Sequence, residues 1–231
     1  MKKMMLLVVI FTPFLITAND FTVNFAKGQW DQSAWTGMIV LPAKKDEQAP
    51  FAKKAVDFEQ KDSCVSVSFS PEQIKAGGDN ALMLVDTKNP QGEFAVSFTI
   101  GKEKGTAPGV CLSPTYGVDN VLEKCYAIFV ADYTMAVWYA EADKAAGTMK
   151  YTHLARLVKW QDPEKRHTLH CRYEKDSFVV RVDDSDLVLF RYAPGFTPNS
   201  KIGVWGCHGT CEFFSLDVKS KGTLPLSGVK P

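Results

Sequence analysis

The stretch 166-RHTLHCRYEKDSFVVRVDDSDLVLFRY-192, joined by a Pro/Gly-containing link to 201-KIGVWGCHGTCEFFSLDVKS-220, decides the fold. Apolar side chains recur near every second position: Leu169, Cys171 and Tyr173, then Phe178, Val180 and Val182, then Leu187 and Leu189. A period of two describes strands with one buried face. Asp183-Asp184-Ser185-Asp186 separates the second run from the third with residues that bond their own backbone and tolerate left-handed conformations, which predicts a hairpin. Lys201 to Gly206 and Cys211 to Lys219 read as two further strands. Five strands with no helical period predict an antiparallel sheet unit.

Outward from there the pattern continues. Phe21 to Phe25, Trp35 to Leu41, Cys64 to Phe69, Ala81 to Val85 and Gly92 to Ile100 read as strands, and Ser70-Pro71-Glu72-Gln73 has the cap, proline and glutamine order of a short helical turn. Pro42 to Lys54 is polar and reads as an exposed loop, and Gly101 to Lys124 as the longest irregular stretch. Cys125 to Tyr133 and Met135 to Ala142 form a hairpin, followed by a strand over Met149 to Trp160. Simple alternation puts Tyr151, His153, Ala155 and Leu157 on one face of that strand, with Thr152, Leu154, Arg156 and Val158 on the other.

Lys2-Lys3, the apolar run Met4 to Ile16 and the small residue Ala18 have the layout of a secretory signal peptide, residues 1–18. The run is shorter than the ~20 residues a membrane span needs, and Pro13 interrupts it. The expected location is therefore secreted or periplasmic, with one all-β domain over 19–220 and a frayed tail over 221–231. Without Lys2 and Lys3, the 27 basic side chains fall to 25 against 26 acidic ones. That balance gives no basic footprint for nucleic acid and no charge-driven attraction to a membrane.

The stretches quoted, together with 31-DQSAWTGMIVLP-42 and 126-YAIFVADYTMAVWYAEA-142, resemble the concanavalin A-like (laminin-G-like) jelly rolls, nearest to the bacterial 3-keto-disaccharide hydrolase domain proteins. The resemblance implies a two-sheet antiparallel jelly-roll sandwich and a carbohydrate partner: a glycoside hydrolase-like domain acting on a disaccharide or modified glycoside. A non-catalytic module binding a glycan or a protein through the same face, and a structural or adhesive domain, are the alternatives. In such a fold the site is the concave sheet, where aromatics stack on sugars and carboxylates do acid/base work. That points to Asp132 and Glu141 as general acid or base, Trp35 or Trp138 as stacking platform, and Tyr133 and Arg156 as further substrate-binding residues. Against these roles, a strand Trp is more often core and a strand carboxylate often just faces water. The β-glucanase pattern E-x-D-x-x-E is absent; Glu141-Ala142-Asp143 has no third acid after it.

Six cysteines in an exported chain favour disulfides, with Cys207–Cys211 closing a small turn and Cys111–Cys125 closing the long loop. The competing reading gathers His167, His170, Cys171, Cys207, His208 and Cys211 around zinc, without the paired Cys-x-x-Cys of a zinc ribbon. No metal or cofactor is otherwise expected. Calcium is the exception, because related jelly rolls bind it; Asp79-Asn80 and Asp119-Asn120 offer oxygens, but neither makes a recognisable loop motif.

Overall fold

The computed structural model describes residues 20–43, 58–75, 80–88, 92–158, 161–174, 176–185, 188–193 and 195–219. The expected leader (1–18), the expected tail (221–231), Asp79 and Leu187 lie outside them. The strands are β1 (Phe21–Asn24), β2 (Thr36–Met38), β3 (Glu59–Gln60), β4 (Val65–Val67), β5 (Asn80–Asp86), β6 (Gly92–Ile100), β7 (Gly109–Tyr116) and β8 (Leu122–Ala131). They continue with β9 (Thr134–Asp143), β10 (Thr148–Val158), β11 (Arg166–Glu174), β12 (Ser177–Val182), β13 (Leu189–Tyr192), β14 (Lys201–Cys207) and β15 (Cys211–Lys219). An eight-stranded sheet runs β13-β12-β11-β6-β15-β4-β3, with β1 also on β15; a seven-stranded sheet runs β10-β9-β8-β7-β14-β5-β2. Every pairing between these strands is antiparallel. The helical turn is α1 (Pro71–Lys75), closed by a capping box: Gln73 N–H donates to Ser70 Oγ at 3.2 Å and Ser70 N–H to Gln73 Oε1 at 2.8 Å.

Alternation builds the core between the sheets. Phe94, Val96, Phe98 and Ile100 of β6 and Phe213, Leu216 and Val218 of β15 meet Val110, Ile128, Val137 and Val204 of the opposite sheet, all buried. Each such side chain contributes ~1.5–3 kcal/mol by leaving water. A second, separate cluster covers the outer face of the seven-stranded sheet: Leu82 and Leu84 of β5, Cys111 of β7, Cys125 and Ala127 of β8, and Trp205 of β14, beneath Met38 and Val40. One end of that outer face is therefore roofed by the chain after β2.

The sandwich corrects two expectations about the strands. The irregular stretch 101–124 contains β7, a central strand between β8 and β14. Both of its faces are covered, so no alternation marks it, and a register break between Leu112 and Thr115, with Ser113 at φ +49°, interrupts its ladder. The five C-terminal strands do not share one sheet, because β14 belongs to the seven-stranded sheet and β15 to the eight-stranded one. His208 and Gly209, at φ +52° and +83°, turn the chain from one layer into the other.

That crossing also settles the first cysteine pair. Cys207 faces the outer side beside Ala107 and Ala131, whereas Cys211 points into the inter-sheet core and its thiol donates to the Cys207 carbonyl at 3.8 Å. Cys111 and Cys125 are diagonal neighbours on β7 and β8 and carry no bridge. All six cysteines are buried thiols. Nor do the soft ligands gather: among the described residues no three His, Cys, Asp or Glu side chains converge on a point that could hold a metal ion. Asn80 Oδ1 instead accepts from the Trp205 indole at 2.9 Å, and Asp119 Oδ1 from Val121 N–H at 3.2 Å.

Candidate functional site

The outer face of the seven-stranded sheet opens where the roof ends. On β8 the outward positions are Cys125, Ala127, Phe129 and Ala131, and on β9 they are Ala136, Trp138, Ala140 and Ala142. The row of small residues on β9 leaves Trp138 standing clear of its strand neighbours. Opposite it on β10 is His153, with ring centroids 4.6 Å apart and planes at 59°.

A one-residue bulge shapes β10. His153 pairs with Trp138 and Ala155 with Val137, so Leu154 is the extra residue. Leu154, Ala155 and Leu157 consequently pack toward the inter-sheet core. Tyr151, His153, Arg156 and Val158 share the outward side with Trp138. The expected split of this strand into two regular faces is thereby corrected, and Arg156 joins Trp138 through the bulge. Its Nε donates to Thr134 Oγ1 at 3.0 Å, and its guanidinium lies 5.6 Å from the ring centre of Tyr133, itself 45% exposed.

Phe129 is held by backbone design. A Cβ on Gly109, directly across the ladder, would collide with the Phe129 ring and come within 2.8 Å of the Ile128 carbonyl. Glycine lets the ring lie over β7 against Trp205, centroids 5.2 Å apart. The face thus presents Phe129, Trp138, Tyr151 and His153, with Arg156 and Tyr133 at one end. None of the outward positions named on β8, β9 and β10 is Asp or Glu.

The remaining expected site residues fall elsewhere. Trp35 is core, 6% exposed and edge-on to Phe25 and Trp30 at 5.3 and 5.9 Å. Asp132 sits in the two-residue β8–β9 turn, where its carbonyl accepts from Gln161 N–H at 2.5 Å and its buried Oδ1 has no hydrogen-bond partner among the described residues. Glu141 stands at the far end of β9 on the opposite face, two residues beyond Tyr139. The run of β9 from Thr134 to Glu141 alone puts Glu141 ~24 Å beyond the Asp132 turn. A glycosidase pair needs ~5–9.5 Å, so the two are not brought together. Sequence reasoning missed Phe129, Tyr151 and His153. The Trp138–His153 contact has no local signature, because it depends on the β9–β10 register.

At the end of the sandwich away from the Asp132 turn, the inner faces part into a cleft of about 510 Å³. Tyr126 and Tyr139 line it with Leu154, Phe196, Lys124 and Arg191. The Tyr126 and Tyr139 rings lie 5.2 Å apart. Burial pushes both hydroxyls above the ordinary tyrosine range, aided by Asp176 at Tyr126 and by Glu141 at Tyr139.

Among the described residues no helix is long and apolar enough to cross a membrane. No family model and no curated protein matches the chain. Solved structures do. The β-glucanase of Bacillus licheniformis is 11% identical over 87% of this chain and 98% of its own, with a TM-score of 0.58. The laminarinase of Rhodothermus marinus is 12% identical over 87% and 96%, at 0.57. A CBM2 module of the evolved Dit protein of Lactobacillus casei BL23 phage J-1 is 11% identical over 85% and 93%, at 0.51. Identities this low speak for fold alone. The chain has the two-sheet antiparallel jelly-roll sandwich of the concanavalin A-like class.

Proposed function

We propose that the protein is a non-catalytic carbohydrate-binding jelly roll whose binding surface is the outer face of the seven-stranded sheet. The observation that carries this reading is the Trp138–His153 pair on an open face with Arg156 at its end and no Asp or Glu at the outward positions around it, Cys125, Ala127, Phe129 and Ala131 of β8 and Ala136, Ala140 and Ala142 of β9. Aromatic rings stack on the C–H faces of a sugar, and the guanidinium donates to its hydroxyls. Hydrolysis needs two polar groups converging on one bond, and Asp132 and Glu141 do not converge. The likeness to hydrolases and to a binding module is compatible with either role. The finer kinship with 3-keto-disaccharide hydrolase domains and activity on a disaccharide belong to the hydrolase-like alternative and rest on sequence resemblance; export through residues 1–18 rests on the layout of Lys2-Lys3, the apolar run and Ala18 and goes with either role.

The test is a glycan array with residues 19–231, followed by product analysis on any sugar bound. Trp138→Ala and His153→Ala should weaken binding ~10-fold or more, ~1.4 kcal/mol, with no new reducing ends. Product release abolished by Asp132→Asn or Glu141→Gln would overturn the reading in favour of an enzyme.

A further inference from the structure

The cleft between the sheets is a different place from the outer face, and its charges are arranged unusually for the interior side of a sandwich. Inward positions on β8 run Tyr126, Ile128 and Val130, all packed in or on the inter-sheet core. Lys124 continues the same row by one more step. On β13, Leu189 is core and Arg191, two residues on, stands opposite Phe178, a fully buried core residue of β12. Each sheet therefore turns a cation toward the gap where the apolar row ends. Neither cation forms an ion pair among the described residues. Glu141 is directly across the ladder from Lys124, yet the two form no ion pair.

We propose that this cleft is a second binding site, for a monosaccharide unit bearing an anionic group, with Lys124 and Arg191 taking the anion and Tyr126 and Tyr139 the sugar ring. Its volume of about 510 Å³ lies within the range of small-ligand sites. The hydroxyls of Ser113, Thr115 and Thr197 line the walls and match a polyhydroxylated ligand. A guanidinium suits a carboxylate or a sulfate equally, since both accept its paired N–H groups. The shared chemistry is an anionic hexose, a uronate or a sulfated sugar.

The experiment is an NMR titration of the labelled protein with sodium glucuronate, glucose 6-sulfate, glucose and inorganic sulfate. Glucuronate or glucose 6-sulfate should shift the amides of residues 124–126, 139 and 195–199, and the stronger of the two names the anion. Arg191→Gln and Lys124→Gln, each checked for an unchanged melting temperature, should each weaken that binding ~10-fold. Raising the salt from 50 to 500 mM should weaken it further. Shifts with glucose equal to those with the acids would overturn the anionic part. Inorganic sulfate binding as tightly as the sugars would overturn the saccharide part. No shift in the cleft at 20 mM of either acid, or cleft shifts lost in Trp138→Ala, would overturn the site itself. Failure here leaves the outer-face reading untouched, because that is read from Trp138 and His153.

Discussion

Replacing Asp183 with Asn should destabilise the protein in acid far more than in base. Asp183 closes the turn after β12 at φ +52°, a conformation that Asn also tolerates. Its Oδ1 accepts Thr168 N–H at 2.7 Å, and its Oδ2 lies 2.7 Å from Nδ1 of His167, a residue only 4% exposed. The other ring nitrogen, Nε2, lies 2.9 Å from the Asp162 carbonyl. Both neighbours are pure acceptors, so both nitrogens donate and the imidazolium is the form that fits. The bond to Asp183 is the main reason the His167 pKa is raised, against the opposing effect of burial. A raised folded value means the stabilisation is fully present below the unfolded pKa of ~6.5 and fades as pH climbs through the folded value. Asn keeps the bond to Thr168 but presents N–H to a charged ring. A hydrogen bond to a charged group contributes ~1.5–3 kcal/mol. The Asp183 side chain is 43% exposed, so solvent screening places the loss at the lower end, ~1.5–2 kcal/mol. Urea unfolding followed by tryptophan fluorescence should show that loss at pH 5.5 and under ~1 kcal/mol at pH 9. Equal losses at the two pH values, or a His167 that titrates at or below ~6.5 by NMR, would refute the reasoning.

Two further outcomes follow from burial and close approach. Gly109→Ala should cost ~1–3 kcal/mol and lower the melting temperature by ~2–12 °C, because its Cβ meets the Ile128 carbonyl as well as the Phe129 ring; an unchanged melting temperature would mean that the ring does not lie over β7. Burial raises the thiol pKa of Cys64, Cys111 and Cys171 and pushes Cys211 up to about 12, so at pH 8 these cysteines should resist a thiol reagent while folded. All six should react after non-reducing denaturation; a count of four would reveal a bridge, with Cys111 and Cys125, diagonal neighbours across the ladder, as the pair to examine.

Strands with one apolar face were legible from sequence: Gly92–Ile100 of β6 and the hairpin of β12 and β13 carry their period openly. The capping box at Ser70 was legible too, since its chemistry is local. β7 was not, because a strand covered on both faces loses alternation and Pro114 sits within its register break. Of the site, Trp138, Tyr133 and Arg156 were named from sequence, but their company was not. His153 reaches Trp138 through cross-strand register, and Lys124 with Arg191 through the stacking of two sheets; neither leaves a trace in neighbouring letters. Trp35 shows the converse, an aromatic whose core role only its contacts with Phe25 and Trp30 reveal.

The extra residue at Leu154 has an evolutionary meaning. The bulge absorbs it, so a β10 one residue shorter would pair regularly and keep its faces: with Leu154 lost, Ala155 still lies opposite Val137 and Arg156 opposite Ala136, and Arg156 and Val158 stay outward. The outward chemistry of this strand can therefore survive a three-nucleotide deletion at that point. A lineage could shed that residue without altering Tyr151, His153, Arg156 or Val158.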